Sequence, residues 1–270
     1  MKRTIRTEGS MKDVLFGRSI SRFTVIAMTS LVLLALPAAA SADQGGMTIS
    51  SAPELPLGRS VASTVSASAT LGKVCATQGR SGEFWRVSMN AFDHLVVDFG
   101  STNGDVVGIN MLSPTVTDAT VAEAETTGGC LDLMTTSTKT ELQFQASGGG
   151  RYTMLVADRQ GSNDLSYEMV ARVLHYTQVT ITAPARVRAH TRVTYGGRVT
   201  GASSGAVTLR LRASTDHQWK TLAHANLSAA GTFSFKMRVA GPGLYRIRAF
   251  YPGDDSHLPS SATASFKVTR

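Results

Sequence analysis

GLYRIRAFYPGDDSHLPSS, Gly243 to Ser261, is the stretch on which the reading of this chain turns. Tyr245, Ile247, Ala249 and Tyr251 fall on one side of an extended backbone, and Arg246 and Arg248 on the other. A period of two is that of a strand with one buried face. Pro252-Gly253-Asp254-Asp255 then supplies residues that each favour a bend for a separate reason. The paired carboxylates raise the question of a metal or catalytic loop. A hard cation wants more oxygen ligands than this bend offers, so we read a strand followed by a turn.

The same period recurs on both sides of this stretch. Val179-Thr180-Ile181, Arg192 to Tyr195, Val207 to Ala213 and Gln218 to Leu222 precede it. Phe233, Phe235, Met237 and Val239 share a face, and Ala264, Phe266 and Val268 finish the chain. Seven strands in the 95 residues 176–270 predict a sandwich. Residues 71–175 alternate similarly at Phe84 to Met89, Leu95 to Phe99, Val106 to Leu112, Glu141 to Ala146, Tyr152 to Ala157 and Tyr167 to Val173. Gly100 to Asp105 and Gly148 to Gly150 break these runs. With no helical period beyond the N-terminal region, the fold class is all-β, two β-sandwich domains in tandem.

The first 42 residues read as a cleaved signal peptide. Arg18 and Arg22 precede the apolar run Phe23 to Leu36, and Ala40-Ser41-Ala42 forms a cleavage site before Asp43. The run is shorter than the ~20 residues a membrane span requires. Met11 is an alternative start. Residues 43–70, rich in Ser, Ala, Thr, Gly and Pro, read as a flexible tether with a short strand near Val61 to Val65. Export makes the two cysteines, Cys75 and Cys130, a predicted disulfide. The mature chain is expected to be secreted or loosely surface-associated, without an integral membrane segment.

The overall charge of +8 hides an asymmetry. Residues 43–175 carry eight Lys/Arg against fourteen Asp/Glu, and residues 176–270 carry thirteen against three. An acidic half is joined to a strongly basic one.

Residues 71–173 resemble the bacterial pre-peptidase C-terminal domain family, a small β-sandwich of exported proteins. Phe84-Trp85-Arg86-Val87, Gly104-Asp105, Gly150 to Val156 and Tyr167 to Val170 carry the resemblance. The family often has an Asp-rich lead-in to the first of these strands, where this chain has Gly82-Glu83. The second half is similar to a bacterial Ig-like repeat. Trp219 to Leu222, Gly231 to Phe235, and Leu244 to Ser260 carry that likeness. Gly243-Leu244-Tyr245-Arg246-Ile247 has the spacing of an Ig F strand, where the Tyr hydroxyl anchors a corner. The resemblance implies a stalk or interaction module.

Several motifs yield to ordinary readings. Gly201-Ala202-Ser203-Ser204-Gly205 matches G-x-S-x-G but joins two strands, where a nucleophile elbow needs a strand and a helix. Asp158, Asn163 and Asp164 are a weak Ca²⁺ set. His94, His175, His190, His217, His224 and His257 lack zinc-ligand spacing. Asn226-Leu227-Ser228 is a glycosylation sequon by pattern alone. No cofactor, metal site or catalytic cluster is expected, and the chain reads as non-enzymatic.

The remaining signal is basic. Arg210, Arg212, Arg246, Arg248 and Lys267 all fall opposite core positions on strands that an Ig topology places in one sheet. Clustered like charge is mildly destabilising and invites a reason. One reading is a solubilising face. A second is a site for an extracellular polyanion: cell-wall polymer, acidic polysaccharide or anionic membrane surface. A third is docking of the acidic half. Nucleic acid is disfavoured because the chain is exported and no aromatic platform is expected among the cations. The expected function is binding or adhesion, with a structural or accessory subunit of an envelope or secreted complex as the alternative.

Overall fold

The computed structural model describes residues 45–66, 74–75, 81–136, 140–159, 164–216, 218–239 and 241–270. The expected signal peptide, His217 and Asn163 lie outside them. The described residues form mostly antiparallel sheets with one short 3-10 turn, Val121–Glu123, and no α-helix. The fold is all-β and built of sandwiches.

In the N-terminal sandwich one sheet runs β1 (Ser60–Val65), β8 (Leu165–Leu174), β3 (His94–Ser101), β6 (Thr140–Gln145). The other runs β2 (Gly82–Met89), β7 (Gly150–Asp158), β4 (Val107–Leu112), β5 (Cys130–Thr136). Alternation places Trp85, Val87 and Met89 of β2 in one core with Leu95, Val97 and Phe99 of β3 and Tyr167 and Met169 of β8. Glu83, also buried, accepts the Tyr167 hydroxyl at Oε1 and the Gly45 backbone N–H at Oε2, 2.8 Å away. Trp85 Nε1 donates to the same Tyr167 hydroxyl at 2.8 Å, so both oxygens of the buried Glu83 side chain and the phenol have hydrogen-bond partners. Burial, followed by Glu83, pushes the Tyr167 hydroxyl well above its usual pKa.

The tether reading of residues 43–70 is corrected over 45–65. Gly46 exchanges backbone hydrogen bonds with Phe84 at 2.9 and 2.8 Å. Arg86 N–H donates to Pro53 O at 2.8 Å, and Leu55 N–H to Arg86 O at 2.6 Å. The short strand expected near Val61 to Val65 is present as β1, paired with β8 from Ser60↔Val170 to Val65↔Leu165. The physical reason lies on the far side of the second sheet. Phe84, Leu112, Leu155 and Ala157 face away from the main core and need cover, which Ala52, Val116 and Ala124 provide. The Cys75–Cys130 disulfide joins this cap, with Cα atoms 5.9 Å apart and a sequence separation of 55.

In the C-terminal sandwich the larger sheet runs β10 (Arg186–Arg188), β16 (Ser260–Thr269), β15 (Gly243–Tyr251), β12 (Ala206–Ala213), β13 (Lys220–Asn226). The smaller runs β14 (Thr232–Arg238), β11 (Arg192–Thr200), β9 (Gln178–Thr182). Tyr195, Val199, Phe233 and Phe235 share a core with Leu209, Ile247, Tyr251 and Phe266. The Tyr245 hydroxyl donates to Gly241 O at 3.1 Å, making the corner its spacing predicts. β10 escapes the sequence reading because three residues are too few to show a period, and it pairs in parallel with β16.

The two cores part between Val173 and Val179, and a compact joint connects them. Asp93, almost wholly buried, accepts the Tyr176 backbone N–H at 2.9 Å and lies 3.0 Å from His175 Nδ1. His175 N–H donates to Ser256 O at 2.8 Å, and Leu258 N–H to His175 O at 2.9 Å. The Thr177 hydroxyl donates to Leu258 O at 2.8 Å.

Candidate functional site

The basic residues sit on the outer face of the five-stranded sheet, where alternation directs whatever the core does not take. In the β12–β15 register Arg210 stands opposite Arg248, and Arg212 opposite Arg246. Opposed side chains in such a ladder start about 5 Å apart, and alternate residues along a strand about 7 Å. The four arginines therefore form a two-by-two block. Lys267 lies one step outside it, on β16 opposite Leu244. On its other side Lys267 pairs with Arg186, so β10 extends the basic face with Arg186 and Arg188, which the sequence reading missed.

Aromatic rings interleave the cations, and this corrects the sequence reading. The Arg210 guanidinium carbon lies 5.5 Å from the Phe250 ring centre, and that of Arg248 5.9 Å. Arg212 lies 5.0 Å from the Trp219 ring. Phe250 is the next outward residue after Arg248 on β15. Trp219 arrives by a different route: a bulge at Leu209/Arg210 resets β13 so that Thr221 stands opposite Arg210. Such contacts are worth roughly 0.5–1 kcal/mol at exposed sites and hold the guanidinium planes in place. The absence expected from the sequence is therefore not a ground for excluding nucleic acid.

Among the described residues no carboxylate pairs with any cation of this block. The acidic residues of this half, Asp216, Asp254 and Asp255, all lie in turns. Arg248 Nη2 donates to Ser261 Oγ at 2.8 Å. The Nε atoms of Arg210 and Arg212 are covered and have no acceptor. Their terminal nitrogens form the remaining donor edge, which matches a carboxylate or phosphate. Leu244 and Leu222, 53% and 42% exposed, add apolar surface at the margins.

The other motifs take structural places. Gly201 to Gly205 is a turn between β11 and β12, with φ of +91° and +100° at its two glycines. Strand follows it, not the helix an elbow requires. Asp254 accepts the Ser256 N–H at 2.8 Å and the Tyr251 hydroxyl at 3.1 Å, and lies 2.7 Å from His257 Nδ1. Burial raises its pKa, but these donors outweigh that and hold it below 3.8. Its oxygens anchor the turn. Among the described residues no three His, Cys, Asp or Glu side chains gather as a metal set. Within the same residues no helix is long and apolar enough to cross a membrane.

No protein-family model matches the chain. No curated protein matches it either. Among solved structures, the sulfur carrier protein SoxY from Chlorobium limicola f thiosulfatophilum is 14% identical, with a TM-score of 0.25 over 36% of this chain and 86% of its own. A chain from a structure of T cell specificity and activation by the bacterial superantigen toxic shock syndrome toxin-1 is 10% identical, with a TM-score of 0.25 over 34% of this chain and 99% of its own. A beta-glycosidase from Bacteroides vulgatus is 9% identical, with a TM-score of 0.24, and this chain covers 69% of itself but 25% of that enzyme. Likenesses this slight carry no functional argument.

Proposed function

We propose that this chain is an exported, non-enzymatic binding protein that holds an extracellular polyanion on the outer face of its five-stranded sheet. One observation carries the reading: Arg210 faces Arg248 and Arg212 faces Arg246, with no acidic partner for either pair among the described residues. Opposed like charges destabilise a sheet, so a ligand that neutralises them supplies the missing reason. Phe250 and Trp219 hold the guanidinium planes ready, which lowers the cost of ordering them on binding. The Cys75–Cys130 disulfide supports an oxidising compartment, in keeping with the signal peptide read from residues 1–42. The likenesses to pre-peptidase C-terminal and Ig-like domains support an accessory role of the same kind.

The test is retention of the purified protein on isolated cell envelope across a salt series. Retention should fall steeply between about 0.1 and about 1 M salt, as the screening length drops from ~10 to ~3 Å. Replacing Arg210, Arg212, Arg246 and Arg248 with Ser should abolish it while leaving the circular dichroism spectrum unchanged. Unchanged retention in that variant removes the site. Retention insensitive to salt favours the accessory-subunit reading. Stronger competition by single-stranded DNA than by an acidic polysaccharide reassigns the ligand class.

A further inference from the structure

We propose that the cleft on the capped face of the N-terminal sandwich binds a small organic carboxylate, with Arg86 as its anion anchor. The cleft is remote in sequence from the basic face and does not depend on it. Its floor is the outer side of β2 and β7, where Arg86 pairs with Thr153. One wall is the backbone of residues 49–50, and the other is the loop through Pro114 and Val116 to Asp118. The walls are tied together: Asp118 Oδ1 accepts the Ile49 N–H at 2.6 Å, and Oδ2 the Ser50 N–H at 3.2 Å. The cleft is open to solvent and has a volume of about 230 Å³.

The charges around this cleft are unequally satisfied. The Asp118 carboxylate is occupied by two backbone donors. A hydrogen bond from the Ser50 side chain is the first cause lowering its pKa, and the Ser50 and Ile49 backbone donors add to it against the effect of burial. Glu54 lies 2.6 Å from Arg151, so those two charges cancel. Arg86 differs from both. Its backbone N–H and O are taken by Pro53 and Leu55, yet its guanidinium has no acceptor or ion pair among the described residues. Its Nε is covered and without a partner. A half-buried, always-charged fork with no acceptor is costly unless something fills the role.

The chemistry of the lining selects the ligand. A planar guanidinium matches a carboxylate in a bidentate pair. Thr153, 4% exposed and opposite Arg86 in the register, also lines the cleft and carries a hydroxyl as a further potential donor. The Asp118 carboxylate, also in the lining, opposes a second negative charge, which disfavours a phosphate dianion. Ile49, Pro114 and Val116 give an apolar wall for a short tail. The volume is below the ~300 Å³ at which drug-sized pockets begin, so the ligand is small. Two sources share this chemistry: a free short-chain acid, and the C-terminal carboxylate of a peptide.

Titration of the purified ¹⁵N-labelled protein with butyrate, with a dipeptide ending in Val, and with the same dipeptide amidated tests the site. At least one carboxylate should give saturable amide shifts at Thr153, Val116 and Ser50, with a Kd of about 1 mM or tighter. The amidated peptide should give none. Arg86→Gln should weaken binding by at least ~10-fold, the equivalent of 1.4 kcal/mol. Arg86→Lys, which keeps the charge and loses the fork, should bind with intermediate strength and guards against misfolding of the first variant. Tighter binding of the dipeptide assigns peptide C-termini, and tighter binding of butyrate assigns free acids. Shifts that stay linear to ~50 mM, equal binding of the amide, or unchanged binding by Arg86→Gln would each overturn the proposal.

Discussion

Tyr245 shows how much a single side chain contributes to the C-terminal sandwich. Its ring stacks on Phe266 with centroids 5.7 Å apart, and its hydroxyl closes the corner on Gly241 O. Tyr245→Phe keeps the ring and removes the hydrogen bond, so it should cost about 1 kcal/mol, read as a lower urea midpoint at unchanged slope. The role was legible beforehand because Gly-x-Tyr-x-Ile is a local spacing with a local partner. Arg86 was not. Its meaning depends on Pro53, Leu55 and the loop through Asp118, none of which its own strand announces.

At the level of elements the cap over the second sheet matters most. Phe84, Leu112 and Leu155 look outward from their strands, yet all three are buried, because residues 45–55 and 113–130 fold over them. The disulfide closes a loop of 55 residues within this arrangement. In the chain-entropy account such a loop is worth roughly 4 kcal/mol. The paired variant Cys75→Ser, Cys130→Ser should therefore lower the melting temperature of the N-terminal sandwich and leave that of the C-terminal one unmoved. Calorimetry that shows both falling together would mean the two unfold as one unit. The 45–55 part of the cap was read from sequence as tether because its residues are small and polar, and composition of that kind reports flexibility only when nothing nearby needs cover.

For the whole molecule the decisive place is the joint at Asp93. Burial raises the carboxyl's pKa, but the N–H groups of Tyr176 and Asn90, together with His175, outweigh it and hold it below 3.8. A carboxylate with a depressed folded-state pKa contributes stability that is present above the unfolded value and lost as pH falls through the folded one. The joint should therefore hold at neutral pH and loosen in acid below about pH 4. Asp254, depressed in the same direction, anchors the turn that faces His175 and loosens with it. Asp93→Ala should reproduce the acid effect at pH 7, seen as faster hydrogen exchange at the Tyr176 amide and new proteolysis near residues 174–177. Exchange as slow as in the unaltered protein would show that the Ser256 and Leu258 backbone bonds suffice.

Alternation, turn residues and an even pair of cysteines sufficed, within the sequence alone, for an all-β sandwich architecture, the disulfide and the strands that carry five of the outward cations. These signals survive in one dimension because a strand's period of two and a turn's preferences are properties of neighbouring residues. The facing of Arg210 with Arg248 and of Arg212 with Arg246, the rings of Phe250 and Trp219 among them, and the packing of residues 45–65 were decided only by the tertiary structure. Register between strands, a bulge that moves a Trp toward an Arg, and the cover an outward Phe requires all depend on residues far apart in the chain. Burial and cross-strand pairing settle such relations, and local propensity carries no record of them.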